Sequence, residues 1–406
     1  SFANAAQISV SYCEPWANRE APLKALKWMF DKEAPLLFRP QLDWDQWRWG
    51  LKFLAQCNDV AFERNVQQIV ALGAYSHAAL KDLVASTGIE YNRLERGIAH
   101  FYTDQKSFDA AGHAVELMRK FGVQRRLVSR EELLKIEPAF KAYGDKITGG
   151  TYTSTDESGD ARVFTQELAR RCMARGAQFL YGHDVLRLNK IGNAIDSVAV
   201  MPKQTSAGGK KDFILKADAV VVACGSYSAP LLRSVGVDLP IYPGKGYSAT
   251  FPLLKPEGAP MVSTIDDGKK IAMSRLGNTL RVAGTIELGG FDMSLDSPVA
   301  RARCHMLSRR IAEILPGVCD TRTPEEGGNP QYWTGLRPAT PTNIPVIGQT
   351  RVGKLWVNAG HGTLGWTHGA GSGKAMAELL SGEVPAMNFG FLGVQAPRAV
   401  RGTVAA

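Results

Sequence analysis

A glycine-rich loop near the end of the chain has the residue types and spacing of a ligand-binding loop. The apolar run 355–359 leads into Gly360-His361-Gly362-Thr363-Leu364-Gly365, and a helical pattern follows from about His368 to Ser381. Glycine allows a ligand close to the backbone, and the first turn of a helix has free N–H groups that attract negative charge. The pattern therefore predicts a site for an anionic or electron-rich ligand.

The spacing of these glycines matches the Gly-x-Gly-x-x-Gly dinucleotide motif, but the surrounding sequence argues against NAD. That site needs a further strand and an acidic residue about 20 positions on. Glu383 falls at that distance, but it stands beside the helix stop at Gly382 and no clear strand follows. A P-loop is excluded as well, because Lys374 is followed by Ala375 and not by Ser or Thr.

An acidic block, Asp156-Glu157-Ser158-Gly159-Asp160, allows two interpretations. Two or three neighbouring carboxylates suit metal binding or acid–base chemistry. A loop followed by a helix cap explains the same residues, because Asp160 precedes a helical pattern that starts at about Arg162. We favour the loop and cap.

The composition describes a globular protein with a sizeable core. The chain has 406 residues, of which 45% are hydrophobic and 21% charged, and its length favours two or three lobes. It contains no apolar run of 18 residues and no secretory leader at its start. Six scattered cysteines without a Cys-x-x-Cys pair indicate buried free thiols in a reducing compartment such as the cytoplasm.

The net charge of +9 favours acidic substrates or an anionic membrane surface. Nucleic acid is not expected as a partner, because the basic residues are spread along the chain and no nucleic-acid-binding module is visible.

The order of the elements predicts an α/β fold with an α+β second lobe. A helix over 163–175 is followed by strands at 178–181, 185–188 and 195–201 and by a buried strand over 217–225 that ends at Gly225. Such a strand belongs to a sheet whose carboxyl edge faces a ligand. Residues 238–334 are rich in strands with glycine and proline turns, which favours a largely antiparallel second lobe.

Four residues in a tryptophan-rich region, Trp44, Trp47, Leu51 and Leu54, recur at helical spacing. Such stripes usually pack in a core or between lobes, and that is the interpretation we favour. The alternative is contact with a bilayer surface, where tryptophan beside Lys and Arg is common.

Six blocks spread over nearly the whole chain carry a resemblance to a known family. They are Ser1-Phe2-Ala3-Asn4-Ala5-Ala6-Gln7, Trp28-Met29-Phe30, the acidic block, Lys245-Gly246-Tyr247-Ser248, Gly335-Leu336-Arg337-Pro338 with Thr340-Pro341, and Gly360-His361-Gly362-Thr363-Leu364-Gly365-Trp366-Thr367. Together they resemble the FAD-dependent D-amino acid dehydrogenases, within the flavoprotein group of glycine oxidase and D-amino acid oxidase.

The resemblance implies a discontinuous doubly wound FAD-binding domain over 1–88, 151–236 and 332–390. A discontinuous substrate domain would take 89–150 and 237–331, and 391–406 would be a flexible tail. The family begins with a strand, a Gly-x-Gly-x-x-Gly turn and a helix, and this sequence, which starts at Ser1, shows no such unit. We therefore expect an FAD-binding domain that is incomplete at its N-terminus. A smaller departure is Ala6, where the family usually has glycine.

The resemblance also implies the residues that bind FAD. The N-terminal segment would lie beside the flavin, Val185 and Cys224-Gly225 near the adenosine side, and the 360–367 loop at the flavin N1–C2=O edge. The implied cofactor-binding residues are Ser1, Ala3, Asn4, Ala5, Gln7, Val185, Cys224, Gly225, Gly335, Gly360, His361, Gly362, Thr363, Leu364, Gly365, Trp366 and Thr367. For His361 a purely structural role is an equal alternative, because the loop amides can supply the donors.

Arg337 and Tyr247 are the predicted substrate-binding residues. A guanidinium binds a carboxylate through two parallel hydrogen bonds and would hold the substrate Cα–H over the flavin. The alternative for Arg337 is a surface ion pair. The Tyr247 hydroxyl would bind the same carboxylate, and its alternative is packing within a strand.

The implied reaction is oxidation of a D-amino acid to an imine that hydrolyses to a 2-oxo acid and ammonia, with electrons passed to a quinone or another non-oxygen acceptor. Location at the inner face of the bacterial membrane is compatible with it. One alternative is an oxidase of glycine, sarcosine or related amines. Another is a catalytically incomplete subunit that needs a complementing N-terminal segment or partner.

Overall fold

The computed structural model describes residues 2–28, 34–203 and 212–394. Its helices are α1 Ala21–Trp28, α2 Trp44–Ala55, α3 Asp59–Thr87, α4 Gln105–Lys120, α5 Arg130–Ile136, α6 Ala161–Ala174, α7 Ser228–Arg233, α8 Pro298–Ile314 and α9 Gly365–Leu380. Its strands are β1 Gln7–Ile8, β2 Leu36–Phe38, β3 Ile98–Tyr102, β4 Arg126–Ser129, β5 Gly149–Thr153, β6 Glu157–Ser158, β7 His183–Ile191, β8 Ala194–Pro202, β9 Phe213–Leu215, β10 Val220–Val222, β11 Tyr242–Pro252, β12 Ser263–Asp266, β13 Ile271–Leu276, β14 Thr279–Leu288, β15 Gln331–Ala339, β16 Val346–Gln349 and β17 Leu355–Ala359.

Helix ends follow the local signals in the sequence. The Ser129 hydroxyl accepts a hydrogen bond from the Glu132 amide at the start of α5, and Asp160 accepts from two amides at the start of α6. Gly88 ends α3 in the left-handed conformation, with φ of 63°. The cap predicted at Asp160 is confirmed, because a helix cap depends on neighbouring residues alone.

The largest element is a nine-stranded sheet in the order β15-β11-β14-β13-β12-β3-β5-β4, with β2 beside β14. Its pairs are antiparallel except β12 with β3 and β14 with β2. One face packs against α8 in a core that includes Phe251, Val282, Leu307 and Ile311. The predicted antiparallel lobe is therefore confirmed, and its other face is free to line a site.

A smaller sheet carries the end of the chain. β10 and β17 pair in parallel, and β16 pairs antiparallel with β17. β7, β8 and β9 form a separate antiparallel sheet. The long helix α3 packs along α9, which follows β17 and the glycine-rich loop.

The nine-stranded sheet crosses the predicted domain boundaries. Residues 331–339, 36–38 and 151–153 lie in this sheet, whereas the sequence assigned nearly all of them to the FAD-binding part. The predicted strand at 178–181 does not form. Ser1, Met29, Phe30 and residues 395–406 of the predicted tail lie outside the described residues.

The tryptophan-rich stripe does form a helical face, but the core interpretation is wrong. Trp44, Trp47, Leu51 and Leu54 on α2 are 72, 47, 65 and 53% exposed, and Trp49 is the buried aromatic residue of this helix. Periodicity identified the helix but not the face that packs, because apolar residues lie on both sides of it.

In the described part of the chain, no helix has the length and apolarity needed to cross a bilayer. All six cysteines are free, as expected, but only Cys13, Cys304 and Cys319 are buried, and Cys224 is exposed.

Candidate cofactor and substrate site

A continuous cavity of 2590 Å³ is lined by the free face of the nine-stranded sheet, the N-terminal segment, the end of β10 and the loop before α9. Pockets for small ligands are usually about 300–1000 Å³, so this volume suits a large cofactor together with a substrate. Of the residues predicted to bind FAD, those on its wall are Ala3, Asn4, Ala5, Gln7, Cys224, Gly225, Gly335, His361, Gly362, Thr363, Leu364, Gly365, Trp366 and Thr367.

The glycine-rich loop places the uncapped start of α9 at the cavity. Gly360 and Gly362 have φ of 85° and 54°, which a residue with a side chain rarely adopts. Leu364 at the N-cap gives no side-chain hydrogen bond to the first amides of the helix. These amides and the helix dipole therefore face the cavity with capacity to bind electron-rich atoms. Gly360 itself lies behind the wall, close to Thr340.

The His361 side chain has a hydrogen-bond partner within the protein. Its Nε2 lies 2.8 Å from the Ser372 hydroxyl on α9, and burial lowers the pKa of its imidazole to about 4. The ring is therefore neutral near pH 7, and it ties the loop to the helix. This geometry supports the structural role and leaves the backbone amides as the donors toward a ligand.

The N-terminal segment is fixed to the free face of the sheet by polar side chains. The hydrogen bonds run from Arg281 Nη1 to the Asn4 carbonyl (3.2 Å), from Ser274 Oγ to the Ala5 carbonyl (2.8 Å) and from Gln7 Nε2 to Ser263 Oγ (2.9 Å). Ala6 has φ of 61°, a left-handed conformation in which glycine is favoured. This explains physically why glycine suits position 6.

Arg337 is a partly buried cation on the cavity wall. Its Nη1 donates to the Thr285 carbonyl at 2.7 Å, and among the described residues no carboxylate oxygen lies within 4.0 Å of its guanidinium. Burial lowers its pKa to about 10, so it stays charged at pH 7. The surface ion pair considered for Arg337 does not occur among these residues, and a partly desolvated cation without a carboxylate partner favours an anionic ligand.

The Tyr247 hydroxyl is not directed toward the carboxylate site expected beside Arg337. The hydroxyl donates to Glu287 Oε2 at 2.6 Å, and the side chain, 1% exposed, belongs to the core against α8. Burial raises its pKa. Although Tyr247 contributes to the cavity wall, the structure favours strand packing over carboxylate binding. Neighbouring residues in a strand face opposite sides, so only one of Gly246 and Tyr247 can face Arg337.

The acidic block is structural. Asp156 is 2% exposed and accepts from Ser9 Oγ at 2.7 Å and from the Val10 amide at 3.2 Å. Glu157 Oε1 lies 3.0 Å from His77 Nε2, and Glu157 forms an ion pair with Arg93. The carboxylates thus anchor the chain that follows the N-terminal segment.

Two predicted cofactor contacts lack support from the cavity. Val185 lies on β7, is 47% exposed and does not belong to the cavity wall, so its contact with the adenosine side stays a prediction. Ser1 is outside the described residues.

The sequence reasoning missed Thr285 and the role of Gly246. Gly246 pairs with Gly335 across β11 and β15, and glycine inside a strand often marks a close approach of other atoms. The glycine at position 246 is therefore recognisable in the sequence, whereas Thr285 lies in an ordinary strand pattern that gives no such signal.

Comparison with known proteins identifies the family. The model of the DAO family, the FAD-dependent oxidoreductases, matches residues 1–379. The chain belongs to this family. A D-amino acid dehydrogenase of Dechloromonas aromatica is 47% identical over 392 residues, which are 97% of this chain and 90% of that protein. One from Methylobacterium radiotolerans is 40% identical over 95% of this chain and 87% of its own length.

Solved structures of the DAO fold are also similar. Glycine oxidase from Geobacillus kaustophilus has a TM-score of 0.66 with 23% identity over 79% of this chain and 81% of its own. L-proline dehydrogenase from P. horikoshii has a TM-score of 0.64 with 19% identity, over 79 and 81% of the two chains. These likenesses concern the fold.

The residues present fit the FAD of this family. The free amides at the start of α9 suit the electron-rich edge of a flavin ring, and the side-chain oxygen of Asn358, on the cavity wall, is buried without a partner among the described residues. A ligand that has an acceptor for these amides and a donor for the Asn358 oxygen would satisfy both groups.

Proposed function

We propose that the protein oxidises D-amino acids to 2-oxo acids and ammonia. The observation that carries this proposal is the Arg337 guanidinium on the wall of the cavity, which is partly buried, charged and without a carboxylate partner among the described residues. The named activity of the D. aromatica relative, at 47% identity, supports the choice of D-amino acids.

Arg337 would bind the substrate carboxylate through its remaining N–H groups, while the Thr285 carbonyl holds its Nη1 in place. Fixing the carboxylate limits the rotation of the amino acid and positions its Cα–H, which is where most of the rate gain would arise. Bound FAD supplies the hydride acceptor. We assign no side-chain base, because an amine that enters neutral needs none.

Residues 361–367 would hold the pyrimidine ring of the flavin. The start of α9 favours negative charge on that ring, and the neutral His361 adds no competing charge to the loop. Ala3–Gln7 would lie beside the ring from the side of the sheet. We keep the discontinuous division into FAD-binding and substrate domains, with the strands β2, β5 and β15 of the nine-stranded sheet counted in the substrate domain.

We further propose that electrons leave to a quinone at a membrane surface, which places the protein in the cytoplasm at the inner face of the membrane. Trp47, Leu51 and Leu54 on the exposed face of α2 also line the cavity, so that face continues into the site. An exposed apolar helix face with tryptophan suits the bilayer interface.

A complementing segment, within a longer chain or in a partner, remains a second proposal. β10 stands at the edge of its sheet, with β17 as its neighbour, and Val221 on β10 is 38% exposed. Parallel sheets are usually covered on both faces, and an edge strand presents unpaired backbone groups to a further strand. A strand added beside β10 would therefore complete the doubly wound sheet.

Assays with D- and L-amino acids test the function. We expect reduction of a quinone-like dye with D-amino acids, release of ammonia and little peroxide. Peroxide formed in proportion to substrate would favour the amine-oxidase alternative. A preparation that neither binds flavin nor turns over until an N-terminal segment is added would favour the complementing-segment proposal.

A further inference from the structure

Strand β14 changes its pairing at Thr285, next to Arg337. Its pairing with β13 ends at Gly284, and its pairing with β2 begins at Ile286. On the other side, Tyr247 pairs with Gly284 and Lys245 with Glu287, so two residues of β14 lie opposite Gly246. This is a β-bulge, a feature that commonly redirects a side chain or carbonyl near an active site.

Thr285 is an unfavourable residue for this bulge. Its φ is 54°, a left-handed conformation that β-branched residues rarely adopt and that glycine usually provides in such bulges. Its hydroxyl is buried and has no hydrogen-bond partner among the described residues. A strained residue with an unsatisfied hydroxyl therefore stands where glycine would cost less, and such sites cluster around function.

The position of Thr285 points to a ligand. The residue is 5% exposed and forms part of the cavity wall, and its carbonyl accepts from Arg337 Nη1 at 2.7 Å. A rotation of roughly 120° about χ1 moves the hydroxyl to the position that the methyl group occupies. A carboxylate bound by Arg337 has about four lone-pair sites, and the guanidinium uses two of them.

We propose that the Thr285 hydroxyl is a further substrate-binding group, which donates a hydrogen bond to the carboxylate held by Arg337. The inference rests on the proposed function and adds a second donor to its carboxylate site. Thr285 thus acts twice: its carbonyl orients the guanidinium, and its hydroxyl completes the recognition of the anion.

Two variants separate binding from folding. Thr285→Val keeps the β-branched shape and removes the hydroxyl, and Thr285→Ser keeps the hydroxyl. Losing a buried hydroxyl without a partner leaves the stability of the fold unchanged or raises it. Weaker carboxylate binding in the valine variant would therefore not arise from damage to the fold.

The experiment is calorimetric titration of the flavin-loaded protein with benzoate, a carboxylate probe, and with benzamide, its neutral analogue. We expect Thr285→Val to bind benzoate roughly tenfold more weakly, since a hydrogen bond to a charged group contributes about this much. Thr285→Ser should stay within about twofold of the wild type, benzamide binding should not change, and the Michaelis constant for D-alanine should follow benzoate.

Ser228→Ala is the matched control. Its hydroxyl is also buried without a partner among the described residues, but Ser228 on α7 does not line the cavity. Its loss should leave benzoate binding unchanged. Equal benzoate affinity for Thr285→Val and wild type would overturn the Thr285 proposal alone. A wild type that binds no carboxylate and oxidises no D-amino acid would overturn the proposed function and this inference with it.

Discussion

The guanidinium of Arg337 lies against Gly246 of the neighbouring strand, in the space that a side chain at position 246 would fill. Gly246 pairs in turn with Gly335, over which the ring of Trp333 lies. Neither Gly246 nor Gly335 has a side chain. The guanidinium of Arg337 and the ring of Trp333, which both border the cavity, therefore lie against the backbone of the two strands.

Gly246→Ala should displace the guanidinium, because the new methyl group would overlap it. We expect the Michaelis constant for D-alanine to rise roughly 10- to 100-fold, since small errors in placement are costly to catalysis. Steady-state kinetics with a reducible dye measures this. Gly112→Ala on α4 is the control, because its methyl group would meet Leu127 at an ordinary 3.9 Å. Unchanged kinetics in Gly246→Ala would show that Arg337 does not depend on the glycine.

Arg337→Ala should raise the Michaelis constant for D-amino acids roughly 100-fold, because a charge-assisted pair of hydrogen bonds is lost. Oxidation of the matching primary amine, which lacks the carboxylate, should change little. Arg337→Lys should recover only part of the loss, since an ammonium cannot form the two-pronged contact. An equal loss for amino acid and amine would argue against carboxylate binding.

Tyr247→Phe should affect folding more than substrate binding. The variant removes one hydrogen bond from Glu287, which is 3% exposed and also pairs with Arg39 at 3.0 Å. We expect a loss of about 1–2 kcal/mol in the free energy of unfolding, measured by urea denaturation, and nearly unchanged kinetics. A rise in the Michaelis constant comparable with that of Arg337→Ala would restore Tyr247 as a substrate-binding residue.

Acid should destabilise the fold through the imidazoles of His361 and His368. Burial lowers the pKa of His368 to about 3 and that of His361 to about 4, against about 6.5 in an unfolded chain. The unfolded state binds these protons more readily, so stability is complete above about pH 6.5 and falls as the pH drops below it. His368→Leu should reduce the loss between pH 7 and 5 by about 1–2 kcal/mol in urea denaturation. An unchanged pH dependence would mean that His368 does not titrate in this way.

The parts of the fold that depend on neighbouring residues could be predicted from the sequence. The caps at Ser129 and Asp160, the stop at Gly88 and the strand–loop–helix unit around Gly360 are of this kind. The loop at 361–367 lines the cavity, and glycine spacing together with a helix start determines its local geometry.

Features that depend on distant partners could not be predicted. Which face of α2 packs is decided by other elements, so the stripe at Trp44 was assigned to the core. The bulge in β14 opposite Gly246 consists of Thr285 and Ile286, which look like regular strand in the sequence. The partner of Tyr247, Glu287, is 40 positions away in the sequence.

Anaerobic mixing of the flavin-loaded protein with D-alanine or L-alanine tests the central claim most directly, with the visible absorbance of the flavin as the signal. The account predicts that D-alanine bleaches the oxidised band and yields one equivalent each of pyruvate and ammonia, while L-alanine leaves the band in place. An unchanged band with D-alanine, or equal bleaching by both enantiomers, would contradict it.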